Sequence, residues 1–193
     1  MTDSDTTNKP EKLFVSANDL LNDAFHLGEK IVASHFYPDV LIALWRGGTP
    51  VAVAIDEWLT YKGIEHQHFA IKTRHCLGVD HRHDDILIEG LEPVVAALTA
   101  KSKVLIIDDV FDTGLTLDKV VNTLMALCPG LTEIRLACPY FKPDNNLTQR
   151  LPDYYVHTTD QWIVFPHELS GLTPREIIDG KKELRVLADI LHR

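Results

Sequence analysis

The chain has 193 residues, 45% of them apolar, enough for one substantial core and one domain, two at most. Its formal charge of −9, with no run of Lys or Arg, argues against a nucleic-acid-coating protein, which needs a basic face, and leaves room for a small anionic substrate held by a few local donors. No segment is long and apolar enough to span a membrane; Cys76, Cys128 and Cys138 are odd in number, scattered and outside metal-ligand spacing, so neither a disulfide framework nor a zinc knuckle is expected and a reducing cytoplasm is the expected compartment.

Residues 1–12, MTDSDTTNKPEK, are polar and acidic without the apolar stretch of a secretion signal, and read as a disordered tail before a single domain over residues 13–193. Ser16 with Asp19 three residues on marks a helix start, continued by an apolar stripe of Leu20, Leu21, Phe25, Leu27 and Ile31. VLIALW at residues 40–45 is the wholly apolar run of a strand covered on both faces. A loop, RGGTP, leads into a second helix ending at Tyr61, and Gly63 breaks it. Residues 64–72 alternate as a strand, residues 73–90 are a long polar segment rich in His, Asp and Arg, and residues 92–100 form a short helix. A strand over residues 103–108, a helix over 116–127 and a strand over 133–138 follow; a strand pair near residues 154–156 and 162–165 and a helix from about Pro174 complete the chain. The strand–helix–strand rhythm predicts an α/β fold with a parallel sheet, right-handed crossovers and a ligand site beyond the carboxyl ends of the strands.

Chemistry concentrates at those ends. Asp108, Asp109 and Asp112, with Thr113, Gly114, Leu115 and Thr116, stand where an apolar strand runs out and a helix begins. Successive amides of such a turn face one concavity, the helix dipole adds positive potential, and the two threonines supply hydroxyls for a phosphate monoester. The acidic pair would repel a bare phosphate, so it calls for ribose hydroxyls or hydrated magnesium. Arg46, Gly47 and Gly48 end the first apolar strand similarly, with amides and a guanidinium suited to a second anion. His75, Cys76, His81 and His83 fit no standard metal spacing.

VLIIDDVFDTGLTL at residues 104–117 resembles the phosphoribosyl pyrophosphate motif of type I phosphoribosyltransferases. The resemblance implies a Rossmann-like parallel-sheet core with flanking helices, a mobile hood at about residues 73–90 and a small C-terminal strand and helix addition. It implies that Asp108 and Asp109 receive the ribose hydroxyls, directly or through Mg2+, and that Asp112, Thr113, Gly114, Leu115 and Thr116 wrap the 5-phosphate. Arg46, Gly47 and Gly48 match the family's pyrophosphate loop, whose non-proline cis peptide would fall between Trp45 and Arg46; Lys72 and Arg74 in the hood would also meet pyrophosphate.

PYFKP at residues 139–143 and DQWIVFPHE at 160–168 are similar to the xanthine-guanine and hypoxanthine-guanine enzymes. Lys142 would donate to the purine 6-oxo group, Trp162 stack on the ring, Ile163 contact it through its backbone and Glu168 stand near the 2-position. Asp112, Lys142 and Arg46 are then the catalytic set, Asp112 as base. Two positions depart from the pattern: Glu168 replaces the common Asp, and His167 the Trp of the xanthine-guanine type. The expected partners are phosphoribosyl pyrophosphate and a purine base, with neither nucleic acid nor membrane, and further copies of the chain in a dimer or tetramer. A pyrimidine enzyme, a regulator that binds phosphoribosyl pyrophosphate or nucleotide, and an acidic phosphatase-like pocket are the alternatives.

Overall fold

The computed structural model describes residues 12–77 and 84–191, which fall into two units: residues 21–159, and residues 12–20 with 160–191. The expected tail at residues 1–11 and the hood residues 78–83, with His81 and His83, lie outside the described residues, as do the side chains of His75 and Cys76. The chain opens with β1 (Lys12–Phe14), α1 (Ala17–Ala33), β2 (Val40–Trp45), α2 (Gly48–Tyr61), β3 (Gln67–Leu77), β4 (Asp84–Glu89) and α3 (Leu91–Ala97). It continues through β5 (Lys103–Ile107), β6 (Val110–Phe111), α4 (Leu115–Leu127), β7 (Glu133–Phe141) and β8 (Tyr154–Thr158) to β9 (Trp162–Val164), α5 (Pro174–Gly180) and α6 (Arg185–Leu191). No helix among the described residues is long and apolar enough to cross a membrane.

The larger unit is built on one sheet in the order β4-β3-β2-β5-β7-β6, with β8 also on β7; every pairing is parallel except β3 with β4. Residues 40–44 and 104–107 are buried throughout because both faces of the sheet are covered, the reason these runs lack polar alternation. The parallel register sets Ala43 opposite Ile107 and Ile107 opposite Ala137, so the loops after β2, β5 and β7 leave the same end of the sheet. Ser16 caps α1 as expected, its hydroxyl accepting from the Asp19 amide at 3.0 Å, and Gly63 at φ +73° follows the end of α2.

Three expectations are corrected. Lys12 is not tail but the first residue of β1, ordered by parallel pairing with Trp162. Residues 154–158 and 162–164 are not paired with each other: β7 runs three residues past the expected Cys138 and offers β8 an edge, while β9 pairs with β1. The long polar segment, expected as either a functional loop or a disordered one, is over residues 73–77 and 84–89 an antiparallel ribbon continuing β3.

In the smaller unit, Leu13 and Phe14 lie opposite Ile163 and Val164, and α5 starts with a capping box between Thr173 and Glu176. Lys12 Nζ reaches Glu176 at 2.7 Å and stands 5.9 Å from the Trp162 ring centre. The Lys12 ammonium first, then the Thr173 amide and hydroxyl, draw the Glu176 carboxyl down from 4.5 to about 2. The folded value lies below the unfolded one, so the contribution is fully present above pH 4.5 and is lost as pH falls through about 2. The urea-midpoint difference between wild type and Glu176→Gln, which keeps the capping acceptor, should be constant above about pH 5 and shrink on acidification toward pH 3. A pH-independent difference would deny the ion pair any part in stability.

Candidate active site

Strand β5 delivers Asp108 and Asp109 directly from its buried carboxyl end. Asp108's amide donates to Ala137 O at 3.1 Å, and its side chain accepts from the Asp109 amide at 3.0 Å. Burial first, then the neighbouring Asp109 carboxylate, hold the Asp108 carboxyl well above the usual carboxylate range, opposed by amide donors from Asp109 and Gly48. The same burial raises the Cys138 thiol far above its ordinary value, making it a packing residue rather than a nucleophile.

The RGG loop meets this acidic pair. A Cβ on Gly47 would lie 2.3–2.5 Å from the Asp109 carboxylate atoms, and one on Gly48 would lie 2.2 Å from Ile107 O and 2.9 Å from Asp108 Cα. The two glycines are thus required by close approach of the two strand-end loops, a contact between segments 60 residues apart that sequence reading does not reveal. The Trp45–Arg46 peptide is cis, and Arg46 is exposed beside it.

After β6, the chain turns through residues 112–114 into α4. Gly114, at φ +76°, is the N-cap and no side chain caps the helix, so its first amides are open toward the concavity. A cavity of about 250 Å³ is lined by Asp108, Val110, Asp112, Thr113, Gly114, Thr116 and Leu117. Open amides, two hydroxyls and a 13-residue helix suit it to a phosphate group. Leu115 is 42% exposed and joins the loop through its backbone position at the start of α4. Another concavity, between α2 and β3 and lined by Leu41, Ala43, Ala52, Val53 and Phe69 among others, is mainly apolar, so donor chemistry rather than space locates the site.

Lys142 reaches this centre from the end of β7. It is 8% exposed, its amide donates to Phe111 O at 2.9 Å, and its ammonium stands 3.3 Å from Asp112 Oδ2. Asn145, which sequence reading missed, donates to Asp112 Oδ1 at 2.7 Å and fixes the carboxylate from its other side. Lys72 and Arg74 both face Glu89 across the hood ribbon, at 3.5 and 2.7 Å, and are about half exposed.

Trp162, Ile163 and Glu168 belong to the smaller unit. Trp162 is 59% exposed, Ile163 is buried, and Glu168 folds back on its own turn, with Oε2 accepting from the Phe165 amide at 3.1 Å. Among the described residues, no cluster of three or more His, Cys, Asp or Glu is arranged to hold a metal. Asp108 and Asp109 supply hard oxygen donors that fit Mg2+, which commonly takes one or two carboxylates and completes its shell with water and substrate oxygens.

The sequence matches the model of the phosphoribosyl transferase domain over residues 16–171. No curated protein matches it. Among solved structures, a purine phosphoribosyltransferase from Pyrococcus horikoshii is similar at 31% identity and a TM-score of 0.66, over 84% of this chain and 97% of that one. A Neisseria gonorrhoeae protein with bound ppGpp is similar in fold at 19% identity and a TM-score of 0.70, over 90% and 97%. A xanthine-guanine-hypoxanthine phosphoribosyltransferase from Helicobacter pylori aligns at 18% identity and a TM-score of 0.60, over 81% and 91%. Its sheet, its acidic strand end and the extent of these matches lead to one conclusion: the chain belongs to the phosphoribosyltransferase domain family and has the type I fold.

Proposed function

We propose that the protein is a purine salvage enzyme that converts a 6-oxopurine and 5-phosphoribosyl 1-pyrophosphate to the nucleoside 5′-monophosphate and pyrophosphate, with Mg2+ as cofactor. The observation that carries the reading is the junction of Lys142 with Asp112 at 3.3 Å, on the loop that lines the phosphate-sized cavity. A lysine ammonium has only donors, so it satisfies a 6-oxo oxygen and leaves the 6-amino group of adenine without an acceptor.

In this reading, residues 112–116 hold the 5-phosphate through the α4 amides and the Thr113 and Thr116 hydroxyls. Asp108 and Asp109 would hold Mg2+ or accept directly from the ribose hydroxyls. Bound there, the ion would neutralise charge on the pyrophosphate leaving group. The Arg46 guanidinium and the amides of Gly47 and Gly48 take the growing charge as the bond from the anomeric carbon to pyrophosphate oxygen breaks. A base nitrogen forms the new bond to that carbon, and Asp112 accepts the proton released at N7, while Lys142 holds O6 and orients the ring. On the family resemblance, Trp162 stacks on the base, Ile163 contacts it through its backbone and Glu168 reads the 2-position.

The test is nucleotide formation from phosphoribosyl pyrophosphate, Mg2+ and, in turn, hypoxanthine, guanine, xanthine, adenine, uracil and orotate. Product is expected from the 6-oxopurines and not from the other three. Formation from uracil or orotate alone would replace the purine reading with the pyrimidine one. A second reading, a nucleotide-binding regulator, is favoured by the ppGpp bound in the Neisseria gonorrhoeae protein; no product from any base, together with saturable ppGpp binding, would select it.

A further inference from the structure

We infer that Lys181 is a positioning residue for base recognition, acting through the turn that follows β9; this rests on the reading of Trp162, Ile163 and Glu168 as base-contacting residues. Lys181 is 2% exposed, a rare setting for an ammonium group, and its Nζ donates to Phe165 O at 2.5 Å. The same carbonyl accepts from the Glu168 amide at 3.0 Å, and the Phe165 amide donates to Glu168 Oε2 at 3.1 Å. Phe165 is therefore clasped at both of its main-chain groups, and Glu168 is bound to it through both backbone and side chain.

Lysine burial is costly unless the charge is compensated. Desolvation draws the Lys181 pKa below the ordinary lysine value, opposed by the Glu183 and then the Glu168 carboxylate, which favour the charged form. The consequence lies in Glu168. Its side chain has several rotamers open to it, and the clasp with Phe165 selects among them. The Lys181 ammonium holds the carbonyl end of that clasp, immediately after the strand bearing Trp162 and Ile163. Removing the donor frees the turn, and its loss should be felt by the purine and not by the sugar pyrophosphate.

The experiment compares full-length wild type, Lys181→Met and Lys181→Arg by steady-state kinetics, amide hydrogen exchange at Phe165 and Glu168, and circular dichroism. Lys181→Met keeps the aliphatic stem and loses the donor. It should raise KM for guanine or hypoxanthine by about tenfold, the size of one lost charge-assisted hydrogen bond, with KM for phosphoribosyl pyrophosphate nearly unchanged. Exchange at Glu168 should quicken by a similar factor, and Lys181→Arg should restore most of both. Equal rises in the two KM values, or unchanged kinetics with unchanged exchange, overturn the inference. If Lys181→Met does not fold, Lys181→Leu, which also lacks a donor, must show the same split between the two substrates, and its failure to do so is equally decisive. If the wild type forms no nucleotide from any base, the proposed function fails separately, and unchanged Glu168 exchange in Lys181→Met would then overturn the role of Lys181.

Discussion

Replacing Gly48 by alanine is expected to abolish most nucleotide formation and to destabilise the larger unit. The new Cβ would stand 2.2 Å from Ile107 O, 3.0 Å from Ile107 C and 2.9 Å from Asp108 Cα. These are backbone atoms at the end of β5, a central strand paired with β2 on one side and β7 on the other, so they have little freedom to yield. The loop must retreat instead, drawing the Gly48 amide away from Asp108 and carrying Arg46, two residues before it, along. Overpacking of this kind costs about 1–3 kcal/mol, and misplacement of a catalytic loop by an ångström costs about a hundredfold in rate. Urea unfolding and kcat/KM for phosphoribosyl pyrophosphate measure the two effects. Gly47→Ala offers a contrast, because the atoms nearest its Cβ belong to the Asp109 carboxylate, a side chain rather than strand backbone. It should leave stability almost unchanged while raising KM for the sugar pyrophosphate. Wild-type kinetics in Gly48→Ala would mean that the loop does not work from its observed position.

The contrast between these glycines and the rest of the site marks what local sequence can express. The cradle of residues 108–116 is contiguous: one strand end, one turn and one helix start, each with its own signal in neighbouring residues. The approach of Gly47 to Asp109 and the clamp of Asn145 on Asp112 join segments 62 and 33 residues apart, and no local pattern encodes them. Similarly, β2 and β5 were legible because burial on both faces demands an unbroken apolar run, whereas the three residues of β1 become a strand only by meeting β9, some 150 residues later. The hood ribbon escaped for the opposite reason. Its strands, TRHCL and DDILIE, group their polar and apolar residues in blocks, so they show none of the alternation that a half-buried strand displays. Lys181 sits in a polar stretch, GKKE, that reads as surface; only the fold reveals its burial.

The junction of Lys142 and Asp112 makes the second large effect expected, and their contact makes it separable from two independent losses. Lys142→Met should lower kcat/KM for 6-oxopurines by about a hundredfold, two to three kcal/mol for a buried polar contact left unmade, with little change in KM for phosphoribosyl pyrophosphate. Asp112→Ala should leave nucleotide binding measurable and cut turnover by at least about tenfold, the low end of general-base catalysis. Alanine, however, also strands the buried Lys142 ammonium and releases Asn145, so Asp112→Asn, which keeps the shape and one acceptor, isolates the proton-transfer role. Groups in contact couple by about 0.5–3 kcal/mol, so the Asp112→Asn, Lys142→Met double variant should lose less than the product of the single losses. If the losses instead multiply, the two side chains act on separate steps, and the 3.3 Å contact is a resting-state ion pair without a part in placing the purine. Unchanged turnover in Asp112→Asn would remove the residue from proton transfer altogether and leave it as a support for Lys142.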